Sequence, residues 1–381
     1  MGGQARMRGE YDKLLFTVTL ILVGLGIIMI YSASAIRAQE QFGDAAFFLK
    51  RQVAWTVIGL TVLIWVMGQD YRRFERWAPL FYLVAVLLLI AVLIPGVGVK
   101  INGARRWFRL GSLSFQPAEF AKYAVILVLG RLLVRKGERI REFTDGVLPP
   151  FMLAAVVVGL VAVQPSYGTA LIILATVGIL LFVAGTRIAH MGLIGVCFVP
   201  LLGVLLMHAP HARGRVLAMV DPAQVSSRYV YQVGQSQVAL GRGGSLGTGL
   251  GDGMQKLFYL PEPHTDFIFA IVGEELGFAG GMAVLGLFAL FLWRGLRIAL
   301  KACDSFGCYL AVGITFLIVG QAAINVGVVV GMLPTTGLPL PFVSFGGTSL
   351  VMNLFGVGIL LSVSRCAPVY PGSRRLRGGR R

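Results

Sequence analysis

QKLFYLPEPHTDFIFAIVGEELGF, residues 255–278, is the stretch on which the reading of this chain turns. It opens as a polar, proline-punctuated loop and becomes, within a few residues, one of the most apolar segments of the sequence. Four carboxylates lie in it: Glu262, Asp266, Glu274 and Glu275. Asp266 falls where loop gives way to membrane helix, with His264 and Thr265 beside it. Glu274 is expected roughly 12 Å farther along that helix, at about 1.5 Å of rise per residue. An unpaired acid near the bilayer centre costs about 2.5–3.5 kcal/mol on insertion scales, so these acids mark a functional site unless neighbouring helices satisfy them.

Bulk properties agree with a membrane setting. A mean hydropathy of +0.80, 56% hydrophobic residues and only 13% charged residues exclude the soluble classes, and apolar runs of about 20 residues read as spanning helices. The formal charge of +17 invites a nucleic-acid reading, yet the charges sit in short loops between apolar runs and in the terminal RRLRGGRR, not on one face. They suit topology determinants and contacts to anionic lipid or pyrophosphate head groups. Of the four cysteines, Cys197 falls inside a span, and Cys303, Cys308 and Cys366 fall near span ends without partners at metal spacing. Ordinary thiols are expected.

The fold class that follows is an all-α integral membrane protein of about ten transmembrane helices. The spans are expected near 14–36, 52–69, 78–95, 118–134, 147–163, 168–185, 189–207, 266–293, 308–332 and 342–364. Residues 1–13 form a cytoplasmic tail, 14–364 a single membrane domain, and 365–381 a basic cytoplasmic tail. Placing both termini inside puts the larger share of the Lys and Arg residues in the cytoplasm, as the positive-inside rule asks. The long extracytoplasmic loop between helices seven and eight covers 208–265, and an interfacial helix is expected near its start, from Arg213 to Ser226. The Gly-rich 241–253 lacks any nucleotide-binding context and reads as a flexible loop. The remaining loops of interest, 102–122, 164–169 and 333–347, share the outer face.

Two charges stand inside the fourth span. Glu119 and Lys122 are three residues apart and share a helix face. An internal ion pair is one reading. The other is a cationic phosphate site, with Arg105 and Arg106 above Lys122 as a funnel. Gln164, Gln321, Asn325 and Asn353 are further polar side chains in or at the ends of spans, each suited to helix–helix hydrogen bonding. An acid at a membrane mouth and a basic funnel on one face suit a lipid-linked anionic substrate at the outer leaflet.

The sequence resembles the SEDS family (shape, elongation, division and sporulation), through YSAS at 31–34, NGARRW at 102–107, SFQPAEFAK at 114–122, the segment 255–278 and LPTTGLPLPFVSFGGTSL at 333–350. The resemblance covers nearly the whole chain and is closer to the division type than to the elongation type. It implies a peptidoglycan glycosyltransferase that polymerises lipid II into glycan strands at the outer face of the bacterial cytoplasmic membrane, at the division septum. The implied partners are a class B penicillin-binding transpeptidase and other division proteins. An older proposal for the family is a lipid II flippase, and a non-catalytic scaffold is a third reading. The family's catalytic Asp falls on Asp266, its membrane Lys on Lys122 and its basic loop on Arg105 and Arg106. Glu119, Gln164, His264 and Glu274 complete the expected substrate-binding set. A divalent cation, Mg or Mn, at the pyrophosphate is left open. One departure matters: Ser166 stands in QPSYG, where the family commonly carries Asp.

Overall fold

The computed structural model describes residues 9–101, 104–111, 113–193, 195–196, 203, 210–220, 227–257, 259–261 and 263–366. Most of the expected seventh span (189–207), Cys197, Glu262 and most of both tails lie outside these residues. The chain runs through α1 (Lys13–Phe42), α2 (Phe47–Gly68), α3 (Arg72–Ala91), β1 (Val99–Ile101), β2 (Ala104–Leu110), β3 (Leu113–Phe115), α4 (Pro117–Lys136), α5 (Leu148–Val163) and α6 (Tyr167–Val183). It continues through α7 (Pro210–Val220), α8 (Ser227–Gly243), α9 (Ile268–Leu300), α10 (Ser305–Val329) and α11 (Gly347–Ser364).

Among the described residues, seven helices are long and apolar enough to cross a membrane. The charged α4 and the 17-residue α6 complete the bundle. The helix ends follow local chemistry. Asp12 caps α1 by accepting from Leu15 N at 2.9 Å, and Asp304 caps α10 by accepting from Gly307 N at 2.8 Å, each satisfying a donor that no helical carbonyl reaches. Pro117 opens α4 at a position where a missing N–H costs nothing. α11 is the most enclosed of the seven apolar spans; it packs against α2 and α10, and α10 in turn against α4, α6 and α9.

Three features differ from expectation. First, residues 99–115 form a three-stranded antiparallel sheet, with Arg105 opposite Lys100 and Phe108 opposite Phe115. The all-α helical bundle therefore carries a small β cap. Alternation along β2 sends Arg105 and Arg106 to opposite faces.

Second, α9 is 33 residues long, about 50 Å of helix against a hydrocarbon core of about 30 Å. It breaks at Gly277, whose φ of 68° and ψ of −167° leave the helical region; a Cβ there would lie 2.2 Å from Gly247 N. The break frees backbone groups on both sides, and the Gly-rich segment takes them up. Phe278 N and Ala279 N donate to Gly244 O and Ser245 O, while Thr248 N and Gly249 N donate to Glu274 O and Glu275 O. What read as a flexible loop is therefore a strap on α9, as buried backbone groups require partners.

Third, Cys303 and Cys366 form a disulfide joining the α9–α10 turn to the end of α11, whereas ordinary thiols were expected; Cys308 is free.

Candidate functional site

Asp266 sits at the last turn before α9, and the polypeptide around it is fixed from α10. Gln321 and Asn325, four residues apart, share a face of that helix. Asn325 Nδ2 donates to Asp266 O and to Leu338 O, both at 2.8 Å, and Gln321 Nε2 donates to Pro339 O at 2.8 Å. Two side-chain amides thus hold the Asp266 turn and the 333–346 loop together. Gly337 closes the mouth, with φ of 74°. A Cβ there would stand 3.6 Å from Asp266 Oδ2 and 4.0 Å from Arg215 Nη1, so the acid, the Arg215 guanidinium and this glycine meet at one point.

Arg106 completes the group from β2. Its Nε and Nη2 each donate at 2.6 Å, to Gln164 O and Pro165 O. Gln164 is itself held by donation from its Nε2 to Leu89 O at 3.1 Å. Burial lowers the pKa of Arg106 from its ordinary value, the positive charge of Arg215 lowers it further, and the charge of Asp266 opposes both. The unusual sequence QPSYG finds its place here. The turn meets Arg106 with two backbone carbonyls, and Ser166 pairs with Thr169 at 3.0 Å. The site is therefore one carboxylate with two guanidiniums at the mouth of a helical bundle, suited to holding a dianionic phosphate group beside a proton acceptor.

The other expected residues go elsewhere. Lys122 is fully buried, 2.9 Å from Glu119 Oε2 and donating to Gln321 Oε1 at 2.7 Å. The ion-pair reading of these two holds, and the funnel reading of Lys122 does not. The pair acts on the site through Gln321, which it shares with the 333–346 loop. Arg105 faces away from Arg106 and makes no hydrogen bond or ion pair among the described residues. Glu274 was expected to bind substrate. It instead accepts from Met254 N at 2.8 Å and Gln255 N at 3.2 Å. Glu275 accepts from Ser32 and from Lys256, each at 2.7 Å, in a buried ion pair. Both acids hold the strap. His264 packs against Phe48 and Phe345, at ring-centroid distances of 4.5 and 5.8 Å. Its carbonyl accepts from Phe345 N at 2.9 Å. Burial, reinforced by Arg37, pushes its imidazole down to about 4, so it is neutral at pH 7 and serves as an aromatic latch.

Arg215 is the residue that sequence reasoning missed. It lies in the segment read only as an interfacial helix, and nothing local distinguishes it from Arg213. Among the described residues no cluster of three or more His, Cys, Asp or Glu side chains gathers for a metal. The described donor set at the mouth is one carboxylate among guanidiniums.

This geometry defines a multi-pass membrane protein with an acid–guanidinium site at one mouth of its helical bundle. A family model described as Cell cycle protein, spanning FtsW, RodA and SpoVE, matches residues 12–368, and the chain belongs to this family. It is 43% identical over 362 residues to the probable peptidoglycan glycosyltransferase FtsW of Trichlorobacter lovleyi, covering 95% of each chain. Stage V sporulation protein E of Bacillus subtilis is 44% identical over 354 residues, 93% of this chain and 97% of that one. Among solved structures, a chain of a peptidoglycan synthase complex that coordinates polymerization and crosslinking superposes with a TM-score of 0.77 at 34% identity, covering 93% of this chain and 98% of that chain. The rod shape determining protein RodA of Thermus thermophilus superposes with a TM-score of 0.70 at 31% identity, covering 93% and 97%.

Proposed function

We propose that this chain is a peptidoglycan glycosyltransferase that polymerises lipid II at the outer face of the cytoplasmic membrane during septal wall synthesis, with both of its termini in the cytoplasm. The observation that carries the reading is the meeting of Asp266, Arg106 and Arg215 at one mouth, in a chain so similar to probable peptidoglycan glycosyltransferases. Asp266 accepts the proton of the acceptor sugar's 4-hydroxyl as that oxygen attacks the donor's anomeric carbon. The bond from that carbon to the pyrophosphate oxygen breaks, and the electron pair leaves on the pyrophosphate. The leaving group is already a stable anion, so one carboxylate suffices, unlike the paired acids of glycoside hydrolysis.

Arg106 and Arg215 bind the pyrophosphate and stabilise the charge that grows on it. The guanidiniums supply positive charge at the pyrophosphate, where a divalent cation carried in with the substrate would add to it.

A class B penicillin-binding transpeptidase is the proposed partner, consistent with the likeness to a chain of a peptidoglycan synthase complex. The transporter reading is weaker because its polar path is spent: Glu119, Lys122, Glu274 and Glu275 are all engaged internally.

The test is glycan polymer formed from lipid II by the purified chain with its transpeptidase. Loss of a general base costs about 10²–10⁴-fold. If Asp266→Ala kept more than about a tenth of the wild-type rate, the assigned role would be wrong.

A further inference from the structure

At the end of the bundle opposite Asp266, a cavity of about 900 Å³ opens between the start of α1, the end of α9 and the end of α11. Four cations line it: Lys13, Arg294, Arg297 and Lys301. Two are committed. Lys13 pairs with Glu10 at 2.6 Å, and Arg294 pairs with Asp12, the cap of α1. Arg297 and Lys301 have no carboxylate partner among the described residues, and the two acids in the lining, Glu10 and Asp12, are the ones already used. Arg294 and Arg297, three residues apart, share a face of α9, and Lys301 caps its C-terminal end. The cavity therefore keeps a net positive charge from two cations that no described carboxylate neutralises.

Its surroundings are those of a membrane boundary. Leu14 and Leu300 line it and are exposed, Leu300 to 87%. Trp293, half exposed, lies beneath the guanidiniums of Arg294 and Arg297, whose carbons stand 5.2 and 5.6 Å from its ring centre. Tryptophan with adjacent arginines is the pattern of an interfacial anchor. The cavity's charge disfavours this chain's own C-terminal sequence as occupant: residues 367–381 carry Arg374, Arg375, Arg377, Arg380 and Arg381 and no acid. Like charges there leave an anion as the complementary partner.

We infer that this cavity binds the anionic phosphodiester head group of a membrane phospholipid, held by Arg297 and Lys301, with its acyl chains along Leu14 and Leu300. Basic pockets between helices at a membrane face bind such head groups, and each cation near the surface contributes measurably. The site lies about a full α9 length from Asp266, so it is separate from the glycosyl-transfer chemistry.

The test places the full chain in phosphatidylcholine nanodiscs doped with acyl-brominated lipid and reads fluorescence quenching at Trp293, isolated by subtracting the Trp293→Phe signal. Brominated phosphatidylglycerol is expected to quench about tenfold more effectively than the same fraction of brominated phosphatidylcholine. Arg297→Gln with Lys301→Gln reduces it to the phosphatidylcholine level. Arg135→Gln with Lys136→Gln, at the end of α4 and outside the cavity, leaves it unchanged and shows that the double variant's loss is local. Equal quenching by both lipids, or no effect of the Arg297/Lys301 variant, overturns the proposal. Relief of the quenching by millimolar inorganic phosphate also overturns it, by identifying a soluble anion as the ligand.

Discussion

At the scale of single residues, charge placement separates the groups gathered around Asp266 from groups that hold the frame. Arg106 and Arg215 converge with Asp266, whereas Arg105, adjacent in sequence to Arg106, points to the other face of β2. Arg106→Gln or Arg215→Gln is therefore expected to lower kcat/KM for lipid II by about 10²-fold, the usual cost of losing one donor to a developing anion. Arg105→Gln is expected to change it by less than about threefold, measured in the same polymer assay. His264 gives a signed pH dependence. Its folded value of about 4 lies below the unfolded value of about 6.5. Between these, the unfolded chain takes up a proton that the folded chain refuses, so stability is full above about pH 6.5 and declines as pH falls towards 4. The loss approaches about 3 kcal/mol at the acid end. Thermal melts between pH 7.5 and 4.5 should show this slope, and His264→Gln should flatten it.

At the scale of elements, the break in α9 is the organising event. Without the strap, Phe278 N and Ala279 N would face apolar surroundings with no acceptor, and the carbonyls of Glu274 and Glu275 would lose their donors. The buried Lys256–Glu275 pair fixes the strap at its far end. Removing one member strands the other charge, so Glu275→Ala is expected to destabilise the protein by about 3–5 kcal/mol. Replacing both with apolar residues of similar size is expected to cost much less. Denaturation in detergent with a refolding control reads both values. The α10 amides act at the same scale: Asn325→Ala removes two hydrogen bonds at once, one of them to Asp266 O. It is expected to cost about 1–3 kcal/mol in stability and to lower kcat at unchanged expression.

At the scale of the whole molecule, the bundle holds two charged sites at opposite ends. The acid–guanidinium mouth lies at the start of α9, and the basic cavity and the Cys303–Cys366 bond lie at its far end. Differential alkylation of the purified protein should find Cys303 and Cys366 protected before reduction and reactive after it, with Cys308 indifferent to the reductant. Membership of the family, the helical class and the position of nearly every described span were all legible in the sequence. Each depends on local composition or on a motif read along the chain: an apolar run announces a span wherever it packs, and HTDF stands at a span edge whatever surrounds it. The partners of the charges were only partly legible. The Glu119–Lys122 pair stood as one of two readings, but whether Glu274 met substrate or the amides of Met254 and Gln255, and whether Arg215 met Asp266, was decided by segments distant in the sequence. A charge takes the partner that lies nearest in space, and only the packing of the helices brings Arg106, Arg215 and Asp266 to one point while sending Glu274 and Lys122 elsewhere.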